Sequence, residues 1–200
     1  MALVYRNVDK WDALVTRGLD PWRRDMQEAV SNMTALVERL VALCRMDEAG
    51  EALPEAPFDL SEAAGEAAAA FSAAAARQGK ALQAHIDPGV TYVGDRRAIG
   101  ELLAILLDNG VKYCDPGGTV QLYLRGGKHP TLRVENAYAQ AGRLDVSRIF
   151  DRFYRGDTAR ACGSGFGIGL SMAKAIVAQH KGTICARSQG GNTVILTVRL

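Results

Sequence analysis

Two residue types that often reveal a protein's chemistry are scarce in this sequence. The 200-residue chain has four cysteines and three histidines. The cysteines form no CxxC pair and have no zinc-ligand spacing with a histidine, and we expect no secretory leader ahead of them. They are Cys44, Cys114, Cys162 and Cys185. We therefore expect reduced thiols, a cytoplasmic location and no cysteine-based metal site.

Charge excess and long apolar runs are also lacking. The chain has 24 Lys and Arg against 22 Asp and Glu, so a broad basic surface for nucleic acid is not expected. The most apolar windows, such as residues 102–107, are far shorter than the roughly 18 residues that span a bilayer. We expect no nucleic-acid partner, and a membrane only through other parts of a longer parent protein.

The sequence pattern of residues 1–50 predicts part of a helical segment. Apolar residues recur there at alternating spacings of three and four: Val30, Met33, Val37, Leu40 and Cys44. Such a stripe predicts an amphipathic helix over residues 22–47, which either packs on its own domain or forms a homodimer. Gly50, Pro54 and Pro57 follow as a linker, which places a domain boundary near residue 50.

Residues 51–200 alternate predicted strands and helices. Strands are expected near 57–60, 80–86, 90–93, 119–125, 132–136, 183–187 and 193–200, and helices near 61–77, 95–113 and 167–180. A short aromatic-rich helical stretch is also expected over 146–154. The predicted fold class is α+β, a two-layer α/β sandwich in which three helices cover one face of a mixed sheet.

Glycine is plentiful, with 21 residues, and it is concentrated in the stretch GSGFGIGLSMAK at 163–174. Alternating glycines allow a backbone to approach a phosphate closely, and a helix that starts among them directs its free N–H groups at the anion. The stretch fits neither a P-loop nor a dinucleotide-binding fingerprint. The glycines alone leave a phosphate cradle and a flexible loop as alternatives.

A single amide lies in the most apolar helix of the chain. Asn109 follows a run of leucines there, and an unpaired buried amide costs roughly 1–3 kcal/mol. Its oxygen is a suitable ligand for Mg²⁺, which uses few protein ligands and several phosphate or water oxygens. Lys112 could then meet the same phosphates. The alternative is an Asn that bonds a local carbonyl and a Lys that reaches into water.

Together these segments resemble sensor histidine kinases. Residues 95–113 resemble their N box, residues 148–155 (RIFDRFYR) their F box, and residues 165–171 (GFGIGLS) their G2 box. The likeness covers roughly residues 55–200, the ATP-binding catalytic domain of the Bergerat (GHKL) fold. Residues 36–47 resemble the second helix of the preceding dimerisation domain.

The resemblance implies an ATP site that uses Mg²⁺, and a response regulator as partner. Asn109 would hold the metal, Lys112 and Tyr113 would meet phosphates and base or ribose, and Arg155 would face the γ-phosphate from a lid over 156–164. The remaining residues implied are Gly165, Gly167, Gly169 and Leu170. Phe150 and Phe153 are expected to anchor the lid, and His180 to be structural.

The chain departs from the family pattern in its G1 box, which normally reads Asp-x-Gly-x-Gly. Here Asn136, Tyr138 and Gln140 occupy the Asp and Gly positions. Asn136 can still offer a carbonyl oxygen to the adenine amino group, but without a charge. We therefore expect weak ATP binding.

The chain also lacks the phospho-acceptor histidine of the family. Its histidines are His85, His129 and His180, and none precedes an acidic residue. No catalytic residue is therefore assigned in this chain, and it is not expected to phosphorylate itself. The expected function is transfer of the ATP γ-phosphoryl group to a His on another segment. Two alternatives remain open: a degenerate nucleotide-binding or dimerisation scaffold, and a serine kinase similar to anti-sigma factors.

Overall fold

A computed structural model describes residues 55–154 and 167–200, together with eight helical positions between 22 and 37. The chain divides into two compact units, Met1–Ala42 and Leu43–Leu200. In the first unit, five helical residues are each 56% to 70% exposed: Trp22, Met26, Val30, Met33 and Val37. Their spacing of four, four, three and four places them on one helix face. Leu40 and Cys44 of the predicted stripe lie outside the described residues.

The second unit alternates strands and helices in the predicted order. Its strands are β1 (Ala56–Asp59), β2 (Ala81–Ile86), β3 (Thr91–Gly94), β4 (Thr119–Arg125), β5 (Thr131–Ala137), β6 (Thr183–Gln189) and β7 (Thr193–Arg199). Its helices are α1 (Leu60–Arg77), α2 (Arg96–Tyr113) and α3 (Gly169–Gln179), and a short 3₁₀ turn spans Ala141–Arg143.

Side-chain caps fix where the first two helices begin. The Asp59 carboxylate accepts the N–H of Glu62 at 2.9 Å. Asp95 accepts the N–H of Arg97 at 2.8 Å and that of Ala98 at 3.1 Å. An aspartate that caps orphan N–H groups and faces the positive helix end stabilises the start of a helix. Both helices therefore begin directly after these aspartates.

Five strands form a mixed sheet in the order β2-β4-β5-β7-β6, and β1 pairs with β3 separately. β2 runs parallel to β4, whereas the other pairs in the large sheet are antiparallel. On β4 alternate residues point into the core, namely Val120, Leu122 and Leu124. The helices pack on this face, which confirms the predicted two-layer α+β sandwich.

Helix α2 lies at the centre of this core. Its fully buried side chains are Ile99, Leu102, Leu103, Leu106 and Leu107. Gly110 allows a close approach to the sheet, because a Cβ there would lie 3.0 Å from a methyl group of Val120 and 3.2 Å from one of Val134. Packing against β4 and β5 thus fixes the orientation of the last turns of α2, which carry Asn109, Lys112 and Tyr113.

The helical stretch predicted over 146–154 is wrong. The residues form successive turns, in which Arg148 N–H donates to the Asp145 carbonyl at 3.1 Å and Asp151 N–H to the Arg148 carbonyl at 2.8 Å. These bonds span three residues instead of the four of an α-helix. Phe153 has a φ of 63°, a left-handed conformation that cannot continue a right-handed helix.

Among the helices of the described ranges, none is both long and apolar enough to cross a bilayer.

Candidate functional site

The side chain of Asn109 is oriented by its own helix. Its Nδ2 donates to the Ile105 carbonyl at 2.7 Å. A carbonyl oxygen only accepts, so the amide nitrogen must lie on that side. Oδ1 therefore points the other way and offers a hard oxygen to a ligand. The local bond and the ligand position, which the sequence presents as alternatives, are compatible.

The first residue of α3 lies beside this amide. A Cβ on Gly169 would lie 3.5 Å from Asn109 Nδ2 and 3.6 Å from Ile105 Cγ2, which is ordinary contact distance. The fold thus brings together two of the predicted site residues from distant parts of the sequence. Leu170, also in the first turn of α3, is half-buried.

Within the described ranges, the N-terminus of α3 has no side-chain cap. Ile168, its N-cap residue, makes no side-chain capping bond, and the first turn holds no acidic residue. The Ser171 hydroxyl donates to the Ile168 carbonyl at 2.8 Å, so that bond does not satisfy a backbone N–H. A helix end of this kind, with its N–H groups and positive dipole, can bind a negative group. The Asn109 amide, through its nitrogen, lies beside this helix end.

A tight backbone contact closes the loop that leads into α3. Phe153 N–H donates to the Gly167 carbonyl at 2.9 Å. Gly167 has a φ of +71°, and a Cβ there would lie 2.8 Å from the Tyr154 carbonyl oxygen. Only glycine fits this position without strain. The predicted residues Arg155 and Gly165 lie between the two closed ends, outside the described residues.

The lid anchors differ from the prediction. Phe153 is 61% exposed, whereas Ile149 is 8% exposed. Phe150 is half-buried. Ile149, and not Phe153, is therefore the apolar side chain of this stretch that is buried in the domain.

Lys112 and Tyr113 form the last turn of α2. The Lys112 ammonium nitrogen lies 5.0 Å from the centre of the Tyr113 ring. Lys80 stabilises this turn, because its ammonium donates to the Val111 carbonyl at 2.6 Å and lies 3.5 Å from that of Lys112. A cation at the carboxyl end of a helix is favourable. Lys80 could not be predicted from the sequence, since no spacing pattern links it to a helix thirty residues further on.

Asn136 is a buried polar residue near the end of β5. It is 5% exposed, and its Nδ2 makes a long bond of 3.4 Å to the Ala137 carbonyl. Ser171 and His180 are the other buried polar residues of the described ranges, and each has a bond of 2.8 Å. Tyr138 and Gln140 are unstrained, because Phe153 and Lys181 are the non-glycine residues of the described ranges with a positive φ.

The histidines do not build a catalytic site. His180 Nδ1 lies 2.8 Å from the Ile176 carbonyl, and Nε2 accepts the N–H of Asp95 at 3.2 Å. Both ring nitrogens are thus engaged in the core, which agrees with the structural role predicted. His85 stacks on Tyr123 at 4.8 Å between ring centres, and both His85 and His129 are exposed.

The cysteines and acidic side chains of the described ranges form no metal site of their own. Burial raises the pKa of the Cys114 thiol, and this cysteine and Cys185 are free. In the part of the chain that the structure describes, no three His, Cys, Asp or Glu side chains lie together as a metal site. Mg²⁺ fits the donors present only as an ion held by Asn109 Oδ1 together with substrate phosphates and water.

Comparison with known proteins gives a family match. Residues 94–200 match the family of histidine kinase-, DNA gyrase B-, and HSP90-like ATPases. The chain is 35% identical over 179 residues to the signal transduction histidine-protein kinase BaeS of Escherichia coli K12, covering 88% of this chain and 38% of BaeS. It is 32% identical to the sensor protein DltS of Streptococcus agalactiae, covering 83% of this chain and 43% of DltS. The chain thus spans less than half the length of these relatives.

Solved structures share the fold. Full-length ShkA in complex with AMPPNP aligns with a TM-score of 0.76 at 20% identity, covering 86% of this chain and 36% of ShkA. The histidine kinase AdeS of Acinetobacter baumannii aligns with a TM-score of 0.70 at 23% identity, covering 86% of this chain and 79% of that one. The chain therefore belongs to the family of histidine kinase-, DNA gyrase B- and HSP90-like ATPases, and it carries the ATP-binding catalytic domain of a sensor histidine kinase.

Proposed function

We propose that this domain binds ATP with Mg²⁺ and transfers the γ-phosphoryl group to a histidine on a helix outside the domain, for relay to an aspartate of a response regulator. One observation carries the proposal: the Asn109 amide lies beside the uncapped N-terminus of α3. A triphosphate with its cation needs both an oxygen ligand and N–H donors, and this corner of the fold supplies them together.

The other predicted residues complete the nucleotide site in this proposal. Lys112 and Tyr113 meet the phosphates and the base or ribose, and Asn136 meets the adenine amino group. Arg155 faces the γ-phosphate, and Gly165, Gly167 and Gly169 let the lid approach, with Leu170 in the first turn of α3. The complex of ShkA with AMPPNP supports nucleotide binding in a domain of this fold.

The chemistry requires little from this domain beyond position and charge. A bound Mg²⁺ supplies charge neutralisation on the phosphate oxygens. The nucleophilic nitrogen of the acceptor histidine forms a bond to the γ-phosphorus, the bond from that phosphorus to the bridging oxygen breaks, and ADP leaves while the imidazole proton passes to solvent. Lys112, Arg155 and the α3 N–H groups hold the phosphates in line for this step.

Water is a poor competitor in this arrangement. The hydrolytic Glu in ATPases of this fold would lie four residues before Asn109, where this chain has Ile105. The Ile105 side chain lies near the start of α3, 3.6 Å from a Cβ placed on Gly169. An aliphatic group at this point offers no base to a water molecule, so the phosphoryl group is kept for the histidine.

The acceptor is proposed to come from a dimerisation helix next to residues 22–47. The exposed stripe from Trp22 to Val37 supports a homodimer, because five large apolar side chains on one helix face are stabilised by burial. The alignment with BaeS covers 179 residues, which is more than the 107 residues of the family match. We propose a cytoplasmic setting for the domain, as part of a longer sensor.

A phosphotransfer experiment tests this function. The chain is incubated with γ-labelled ATP, Mg²⁺ and a dimerisation-domain fragment that carries an acceptor His. We expect acid-labile label on the fragment, and none when the acceptor His is replaced by Gln or when Asn109→Ala is used. Acid-stable label would instead indicate a serine kinase, and the absence of both label and ATP binding would indicate a scaffold.

A further inference from the structure

We propose that Asp115 is a positioning residue that holds the segment after β5 in its nucleotide-binding conformation. The proposal rests on the nucleotide site described above and adds a residue to it. Asp115 follows the last turn of α2, which carries Lys112 and Tyr113. Asp115 contacts the end of β5, which carries Asn136, and the residues that follow this strand.

Two hydrogen bonds make this connection. The Asp115 N–H donates to the Ala137 carbonyl at 2.9 Å, and the Asp115 carboxylate accepts the N–H of Ala139 at 2.6 Å. A short bond from an amide to a carboxylate is charge-assisted and stronger than a bond between neutral groups. The end of α2 and the segment after β5 are therefore joined by two bonds from a single residue.

The opposite edge of the same segment is also held. Tyr138 N–H donates to the Asn192 carbonyl at 2.8 Å, and Gly142 N–H donates to the Gly191 carbonyl at 3.0 Å. Residues 137–139 thus alternate between Asp115 on one side and the β6–β7 turn on the other. Gly142, in the 3₁₀ turn that follows, adds a second bond to the β6–β7 turn.

This arrangement has a consequence for the residues that follow Asn136. Asn136 itself is held within β5, where it pairs with Val120 of β4 and Val194 of β7. Tyr138 and Gln140, which occupy the Gly positions of the G1 box, lie beyond these pairs. Without the Asp115 carboxylate, the Ala139 N–H between them loses its acceptor, and Tyr138 and Gln140 shift relative to the end of α2.

The experiment compares Asp115→Ala, Asp115→Asn and the unchanged chain by calorimetry, with Mg²⁺ and either ATP or inorganic tripolyphosphate. We expect Asp115→Ala to weaken ATP binding at least fivefold. The binding of tripolyphosphate, which has no base, stays within twofold of that of the unchanged chain. Asp115→Asn keeps an acceptor oxygen and recovers ATP binding to within threefold.

Asp87→Ala is the matched control. The Asp87 carboxylate also accepts a backbone N–H from a distant turn, that of Gly126 at 3.0 Å. Asp87 follows β2 and Gly126 follows β4, so this bond lies at the opposite end of β4 from Asp115. Its removal is expected to lower stability without a loss specific to ATP. An equal loss of ATP binding in Asp87→Ala and Asp115→Ala would overturn the proposal, as would an equal loss for ATP and tripolyphosphate.

Amide hydrogen exchange separates this proposal from the proposed function. Asp115→Ala should speed exchange of the Ala139 amide at least tenfold while the amides in the middle of β5 keep their protection. Unchanged exchange at Ala139 overturns the role of Asp115 even if ATP binds well. If the unchanged chain binds neither ATP nor tripolyphosphate, the nucleotide site itself is refuted, and the role of Asp115 with it.

Discussion

Replacing Gly167 with alanine tests how the loop that leads into α3 is closed. Gly167 has a φ of +71°, and the new Cβ would lie 2.8 Å from the Tyr154 carbonyl oxygen and 2.9 Å from the carbonyl carbon of Phe153. These are backbone atoms, which cannot rotate away as a side-chain end can. The contact can be relieved only if the bond of 2.9 Å from Phe153 N–H to the Gly167 carbonyl opens.

The expected loss of stability in Gly167→Ala can be estimated by comparison with Gly89→Ala. Gly89 has a φ of +67°, and a Cβ there would meet nothing within 4 Å. Alanine in the left-handed conformation costs about 1–2 kcal/mol, and about 0.4–1 kcal/mol of this is offset by a stiffer unfolded chain. Gly89→Ala should therefore cost about 1 kcal/mol. Gly167→Ala adds an overpacking cost of about 1–3 kcal/mol.

Calorimetry with Mg²⁺ and ATP, together with urea denaturation, measures both effects. If nucleotide binding needs the bond between Phe153 N–H and the Gly167 carbonyl to be closed, the overpacking cost of about 1–3 kcal/mol appears in the binding of ATP. The ATP affinity of Gly167→Ala should then be about 5- to 150-fold lower than that of the unchanged chain. Gly89→Ala should bind ATP as the unchanged chain does. The reasoning is refuted if both variants bind ATP equally well, or if both lose the same stability.

Three further predictions concern single side chains. Asn136→Asp should raise ATP affinity about fivefold, since a hydrogen bond to a charged acceptor is worth about 1 kcal/mol more than a neutral one; calorimetry that shows no gain, or an equal gain for GTP, contradicts this. His180→Ala should lower the free energy of unfolding in urea by about 1–3 kcal/mol, because it leaves the part-buried backbone N–H of Asp95 without its acceptor. Replacing the exposed His85 with alanine should lower it much less, and equal losses would count against the role given to His180. The backbone N–H of Gly126 holds the pKa of Asp87 below its ordinary value of 3.8. The stability that the Asp87 carboxylate contributes is therefore present above about pH 4 and is lost as the pH falls through the lowered pKa. The difference in stability between the unchanged chain and Asp87→Ala should shrink between about pH 6 and about pH 3, and a constant difference would contradict the assignment.

Much of the fold could be predicted from local patterns. Asp59 and Asp95 precede apolar helical periodicities, so the starts of α1 and α2 are predicted to within a residue or two. Alternation of polar and apolar residues in the sequence predicts β4 to its exact ends, Thr119 and Arg125. In each case the signal lies within a few residues of the element that it defines.

Features that depend on distant contacts could not be predicted in the same way. The stretch 146–154 has the composition of a helix, but the bond between Phe153 and Gly167 imposes a left-handed residue and ends the pattern. Lys80 and Asp115 contact groups that only the packing of α2 against the sheet brings near. Asn109 is predictable from the sequence because an amide in an apolar helix is unusual, whereas Lys80 and Asp115 lie in polar connections where charged residues are ordinary.

Titration of the chain with ATP in the presence of Mg²⁺, for the unchanged sequence and for Asn109→Ala, tests the central claim most directly. Calorimetry should show binding by the unchanged chain that weakens when Mg²⁺ is chelated, and an ATP affinity at least tenfold lower in Asn109→Ala. Far-UV circular dichroism of both proteins confirms that the fold is kept. No binding by the unchanged chain at millimolar ATP, or equal affinity in the two proteins, would contradict the assignment of this corner of the fold as the nucleotide site.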